Sequence, residues 1–522
     1  MDEGFKLDDE ACYRALSARD PRFDGRFFVA VRTTGIYCRP ICPARTPMRK
    51  NVTFYPSAAA AQEAGYRPCL RCRPETSPQI GAWRGTSNTV SRALALIEAG
   101  GLDEADVASL AERVGVGERQ LRRLFAQHLG ASPGAVAATR RVLLAKQLIH
   151  DTNLPMAQVA LAAGFNSVRR FNDIFLRLYR RPPSALRRAR RFGDASAIAL
   201  TLAYKPPYDW DSIIRFLAAR AIPGVEIVAP DLYRRAIAFD GKTGSIEVRH
   251  EPARNQLRVS VRFPSVAALP SIIARVRRVF DLGADPAAIG EQLGADPHLA
   301  RLVAKRPGLR VPGGWDGFEQ SVRGIVGQQI TVFGARLILG KLTARYGECA
   351  DGGNGLTHIF PSPTRMAEAD PTTFGMPRAR GMTIVTAARA AMTTPDLFER
   401  AASLEAGIER LRGLKGIGEW TAHYIALRAL REPDAFPHGD VALHRALAED
   451  GVRPTPKELL ARAEAWRPWR AYAAQHLWTE DADRAPRSSA ELPLEGEGKK
   501  RMDHGFAAPE IAVADRNDPA RL

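Results

Sequence analysis

Apolar residues along the chain change their spacing several times, and each change predicts a different kind of element. Near the start, short β-like runs such as Phe27-Phe28-Val29-Ala30-Val31 stand among glycines, prolines and basic residues, which predicts a small α+β unit over residues 1–74. Residues 75–91 are rich in Ser, Thr, Gly and Pro and read as a linker. Over 92–193 the apolar positions recur at helical spacing, and the basic run Arg187-Arg188-Ala189-Arg190-Arg191 marks the end of that all-α segment. Period-two alternation over 244–250 and 255–262 predicts an antiparallel sheet within an α+β segment, 196–307. Helical spacing returns over 308–480, another all-α unit, and 481–522 is polar, charged and expected to be a disordered tail.

A chain of 522 residues exceeds a single core, so several modules are expected. With 45% hydrophobic and 25% charged residues it falls in the globular range, and no charge-free run approaches the roughly eighteen apolar residues of a membrane span. The opening MDEGFKLDDE has neither a basic nor an apolar signal region, so a cytoplasmic, nucleoid-associated protein with no membrane partner is expected. Lys plus Arg number 75 against 57 Asp plus Glu, a surplus of 18 that points to a polyanionic partner, above all nucleic acid.

Four of the six cysteines cluster as Cys38-x3-Cys42 and Cys69-x2-Cys72, two close pairs of the kind one tetrahedral Zn²⁺ requires. A purely structural zinc site is the competing reading. The surrounding strings VRTTGIYCRPICPAR, NVTFY and GYRPCLRC resemble the N-terminal domain of Ada-type adaptive-response regulators. That resemblance implies that Cys38, bound to zinc with Cys42, Cys69 and Cys72, accepts a methyl group from a DNA methylphosphotriester. Arg39, Arg45, Arg67 and Arg71 crowd the cluster and are candidates to hold phosphates of double-stranded DNA.

Between residues 106 and 125, a helix, a turn containing Gly115 and a basic helix follow one another, and the pattern repeats from Met156 through Gly164 to Phe175. With its AxxxGF-like string and Tyr179-Arg-Arg-Pro-Pro-Ser184, this segment resembles AraC-type transcription activators. Promoter DNA and RNA polymerase are the partners so implied. Leu110, Val114, Leu121, Leu124 and Phe125 read as core; Arg119, Gln120, Arg122 and Arg123, with Arg169, Arg170 and Asn172, are the candidates for DNA contacts.

The second methyltransferase domain usual in Ada proteins would carry Pro-Cys-His-Arg, and that string is absent. Instead, Leu411 to Ala422 (LRGLKGIGEWTA) has a helix end, a glycine hairpin and a new helix. Gly416 and Gly418 can take a positive φ and leave the backbone bare for a DNA phosphate. Asp440 follows about twenty residues later. Together with RPGLRVPGGWDGFEQSVRGIVGQQI and AEAWRPWRAYAAQHLW, these residues resemble AlkA-type 3-methyladenine DNA glycosylases of the helix-hairpin-helix superfamily. The resemblance implies that Asp440 is the catalytic carboxylate, that Trp420, Tyr424 and Trp478 line the pocket for a flipped base, and that Gln329 takes the place of the wedge, where some relatives carry Leu. Val441 follows Asp440 where a relative has Tyr. The hairpin position that holds a lysine in lyase-type members is Trp420, and no cysteine follows Cys349, so a monofunctional enzyme of the DNA-3-methyladenine glycosylase II type, without an iron–sulfur cluster, is expected.

Two functions are consistent with these features. One is a damage-responsive repair enzyme and activator; the other is a zinc-dependent transcription factor whose C-terminal half is an inactive DNA-binding scaffold. The joint presence of Asp440, Gly416, Gly418, Trp420 and Tyr424 favours the first.

Overall fold

A computed structural model of the chain describes residues 8–78, 88–187, 197–350, 355–394, 396–449 and 451–484. In the first unit, helix Asp9–Ala18 lies beside a four-stranded sheet. Its strand order is Val52–Tyr55, Phe28–Val31, Ile36–Cys38, Arg67–Pro68, antiparallel except for the last pair. The short β-like run Phe27–Val31 becomes strand Phe28–Val31, in the middle of that sheet.

The two helix-turn-helix units obey one local rule. In helix Glu118–Leu129 the buried residues Leu121, Phe125 and Leu129 recur every four positions, and in Val168–Tyr179 so do Phe171, Phe175 and Tyr179. That spacing gives each helix one apolar stripe and leaves Arg119, Arg122, Arg123, Arg169, Arg170 and Asn172 exposed on the other side. Each turn has its glycine at positive φ, +74° at Gly115 and +85° at Gly164; a Cβ on Gly164 would lie 2.3 Å from the Asp103 carboxyl group. The 19-residue helix Pro133–Asp151 joins the two units.

The predicted sheet has five antiparallel strands in the order Ile198–Ala203, Gln256–Arg262, Lys242–Glu251, Leu232–Phe239, Glu226–Ala229. Leu257, Val259 and Val261 turn inward, as alternation requires. Their core is shared: it continues through Ile149, Phe171, Phe175 and Tyr179 of the second helix-turn-helix unit. Helices Pro286–Leu293 and Pro297–Lys305, within the expected α+β segment, place Ile289, Leu293, Leu299 and Leu302 in the helical core of the last unit.

Two boundaries differ from expectation. The final helix, Arg470–Arg484, runs past residue 481, so those first tail residues are helical; residues 485–522 lie outside the described part. The linker expected from residue 75 begins with an anchor. Glu75, in the turn Pro74–Thr76, is fully buried and pairs with the equally buried Lys146 at 2.7 Å, while Arg73 bonds both Glu75 and Asp151. Residues 79–87 of that linker, and 188–196 around the basic run, are outside the described residues. Other ion pairs tie the amino-terminal modules to the rest: Arg26 to Asp285 at 2.6 Å, and Arg92 to Glu432 at 2.9 Å, the latter almost wholly buried.

Burial alone would push the Glu75 carboxyl up, but Lys146 and Arg73 outweigh it and hold it below the usual carboxylate range. A depressed folded-state value stabilises the fold above the ordinary carboxylate pKa, and this contribution is lost as pH falls toward the depressed one. Glu75→Gln is therefore expected to destabilise the protein by about 3–5 kcal/mol at neutral pH, because Lys146 is left buried without its counter-charge. Denaturant unfolding at pH 7 and pH 3 checks this: the difference from the unaltered protein should shrink at the lower pH.

Candidate active sites

Strand Ile36–Cys38 ends at Cys38, and its parallel partner Arg67–Pro68 ends just before Cys69, whose N–H donates to the Tyr37 carbonyl at 3.0 Å. That pairing brings the two cysteine pairs together. The four Sγ atoms lie within 4.8 Å of one another. A tetrahedron with Zn–S bonds of about 2.3 Å has edges of about 3.8 Å, so the cluster fits one zinc ion. Backbone N–H groups of Arg39 and Arg71 reach the Cys72 and Cys69 sulfurs at 3.4 and 3.3 Å. Cys42, Cys69 and Cys72 are buried, whereas Cys38 is partly open to solvent.

The arginines near the cluster separate into two kinds. Arg45 and Arg71 are exposed and Arg67 is half-buried. Arg39 is turned inward: its Nε donates to Asp24 at 2.9 Å, and its Nη1 donates to the Cys72 carbonyl at 3.3 Å and to Thr76 at 2.8 Å. It braces the cluster and is not free to hold a phosphate, contrary to the expectation from its position in the sequence. In the helix-turn-helix units, Arg122 pairs with Glu118 on its own helix at 2.5 Å and Gln120 is half-buried.

The second site is assembled from four segments. Helix Leu404–Arg412 leads into the hairpin and helix Glu419–Ile425, which carries Trp420 and Tyr424 four residues apart, their rings stacked at 5.3 Å and 13°. Trp478, on the last helix, meets Tyr424 edge-on at 6.3 Å. Asp440 caps helix Val441–Ala446: Oδ1 accepts from the Ala442 N–H at 2.9 Å and Oδ2 from the Trp420 indole at 2.7 Å. The same carboxylate thus serves as the helix cap and meets the aromatic pair. Val441 is exposed beside it.

Of the hairpin glycines only Gly416 uses positive φ, +92°; Gly418 is extended at −84° as the cap of the next helix. Gln329 is exposed at φ +54°, and its neighbour Gln328 donates to the Gly416 carbonyl at 3.2 Å and to Thr421 Oγ1 at 2.9 Å, tying its loop to the hairpin. Sequence reasoning missed His423. Burial pulls it down to about 4, so at neutral pH its Nδ1 accepts from the Phe436 N–H at 3.2 Å and fixes the start of the loop that ends in Asp440. Nothing in its string distinguishes it from a solvated histidine.

Three family models match: the metal binding domain of Ada over residues 11–75, a helix-turn-helix domain over 110–189, and the AlkA N-terminal domain over 199–316. A protein of Mycobacterium tuberculosis described as a probable bifunctional transcriptional activator/DNA repair enzyme AlkA is 42% identical over 485 residues, spanning 90% of this chain and 96% of its own length. The chain belongs to that family. Within this bifunctional AlkA family chain, the carboxyl-terminal half is 36% identical over 281 residues to the DNA-3-methyladenine glycosylase 2 of Escherichia coli, covering 53% of this chain and 96% of that protein. The solved 3-methyladenine DNA glycosylase of Archaeoglobus fulgidus, at 22% identity, superposes with a TM-score of 0.50 over 55% of this chain and 99% of its own, which establishes the shared fold. No described helix is long and apolar enough to cross a membrane.

The hairpin glycines generate a contrast. A Cβ at Gly416 would lie 2.0 Å from Thr383 Oγ1 on a backbone that disfavours side chains, whereas one at Gly418 meets nothing within 4 Å. Gly416→Ala is expected to cost about 1–3 kcal/mol and Gly418→Ala about 0.5 kcal/mol or less, as read from thermal unfolding.

Proposed function

We propose that this protein repairs alkylated DNA at two sites and reports the damage to transcription. At the first, Cys38 takes a methyl group from a DNA methylphosphotriester. Zn²⁺ bound by the four cysteines supplies the means of keeping their thiols deprotonated at neutral pH. The Cys38 sulfur forms a bond to the methyl carbon as the methyl–oxygen bond breaks, and that electron pair stays on the phosphate, which becomes an ordinary diester. Its partial exposure beside three buried cysteines supports Cys38 as the acceptor. The thioether product is a poor methyl donor, so each chain acts once.

At the second site the chain acts as a monofunctional glycosylase of the DNA-3-methyladenine glycosylase II type. The observation that carries this reading is the Asp440 carboxylate, held by the Ala442 N–H and the Trp420 indole at the edge of an aromatic cluster. A damaged base turned out of the helix stacks on these rings. The C1′–N bond breaks with its electron pair going to the base, and the Asp440 carboxylate stabilises the sugar cation until water adds at C1′. Gln329, at the tip of its tied loop, fills the gap in the duplex; Gly416 and Gly418 lie against a phosphate. The exposed residues Arg119, Arg122, Arg123, Arg169, Arg170 and Asn172 contact promoter DNA, and RNA polymerase is the partner recruited there.

Asp440→Asn is expected to lower excision of 3-methyladenine on the order of 100- to 1000-fold while leaving zinc content and methyl transfer to Cys38 unchanged. The excised strand should remain intact, with no borohydride-trapped protein adduct, because Trp420 stands where a Schiff-base lysine would be. Near-normal excision by the Asn variant would remove Asp440 from the mechanism.

Converting the Cys38 thiolate to a thioether also removes one negative charge from a cluster flanked by Arg45, Arg67 and Arg71. Less repulsion of phosphate should tighten promoter binding, an electrostatic switch whose gain fades with salt. Promoter affinities of methylated and unmethylated protein across a salt series decide the matter: equal affinities at low and moderate salt would end the switch.

A further inference from the structure

The aromatic cluster has an unusual neighbour. Helix Glu419–Ile425 does not end after Tyr424 but widens into the five-residue π-helical turn Ala426–Leu430, a rare departure that often marks a functional position. At its centre Arg428 is 2% exposed, with its guanidinium carbon 5.8 Å from the Tyr424 ring centroid, 5.3 Å from that of Trp478 and 4.5 Å from that of Phe216. Its Nη1 donates to the Pro312 carbonyl and its Nη2 to Gln475 Oε1, both at 2.8 Å. Among the described residues no carboxylate pairs with it. Burial pulls it down to about 10, and it is still charged at neutral pH.

We propose that the buried guanidinium of Arg428 sets the base selectivity of the glycosylase pocket, favouring excision of neutral modified bases and offsetting the preference of aromatic rings for cationic ones. This rests on the glycosylase reading above. Two of the rings that would receive the base already face a cation. A second positive charge brought to the same rings gains less from them and is repelled across a medium of low dielectric. Cleavage sends the C1′–N bonding pair to the base. A neutral base so becomes an anion, whose charge Arg428 stabilises; a cationic base becomes neutral and is relieved of repulsion. Relative to free enzyme and DNA, Arg428 accordingly lowers the barrier for neutral bases and leaves that for cationic bases nearly unchanged. For cationic bases it weakens binding and speeds the bound step in compensating amounts.

The test is single-turnover excision of hypoxanthine, a neutral base, and of 7-methylguanine, a cationic one, from otherwise identical duplexes by the full-length protein. Three variants are compared with it: Arg428→Gln, Arg428→Lys and Gln475→Glu. The last leaves the arginine in place and sets a carboxylate against its Nη2, so the charge is neutralised even where Arg428→Gln fails to fold. The hypoxanthine-to-7-methylguanine ratio of second-order rate constants should fall about tenfold in Arg428→Gln and in Gln475→Glu and stay near its original value in Arg428→Lys. A purely structural role would lower both substrates together. Excision intact with an unchanged ratio in Gln475→Glu would overturn the role of Arg428 alone; no excision of either base by the unaltered protein would overturn the glycosylase reading beneath it.

Discussion

Lys146 lies wholly in the interior, on the long helix that joins the two helix-turn-helix units, where Glu75 and the Cys69 carbonyl meet its amino group at 2.7 and 2.9 Å. Both partners come from the zinc module, Cys69 being one of its four cysteines. The same helix buries Leu148 and Ile149 in the core it shares with the five-stranded sheet, and Gln147 donates to the Thr201 carbonyl on that sheet's edge strand. One buried charge thus joins the cysteine cluster to the DNA-binding helices, and those helices are continuous with the glycosylase half. An uncompensated lysine in that position would cost several kcal/mol, a large fraction of what holds any domain together.

The two candidate sites answer opposite chemical demands. The thiolate proposed to take a methyl group from the DNA backbone has to stand at a surface, and Cys38 is the most open of its cluster. The carboxylate proposed to stabilise a sugar cation, Asp440, is instead held in place, by the Ala442 N–H at a helix N-terminus and by the Trp420 indole N–H. Positive charge is also used in two ways. Arg45 and Arg71 are exposed to solvent, whereas Arg39 and Arg428 are turned inward, each hydrogen-bonded beside one of the two sites.

Much of this was legible in the chain itself. Paired cysteines, repeated apolar stripes and strand alternation act over a few residues, so their geometry follows from spacing alone. What the sequence hid depends on contacts between distant segments. Arg39 reads as a phosphate ligand until Asp24 is folded against it, Glu75 as linker until Lys146 arrives from 71 residues away, and Arg428 as one arginine among many until Phe216 and Trp478 close around it. That helices Pro286–Leu293 and Pro297–Lys305 pack into the helical core of the last unit was hidden for the same reason: an amphipathic helix does not say which core it joins.

That one chain removes alkyl groups by two independent chemistries is tested most directly with DNA carrying radiolabelled methyl groups. After incubation with the purified full-length protein, label bound to protein is separated from label released as free base. The account predicts both, with the protein-bound label saturating at one methyl per chain on Cys38 and the released base continuing to accumulate. Label in only one fraction, or released base that stops at one equivalent, would contradict it.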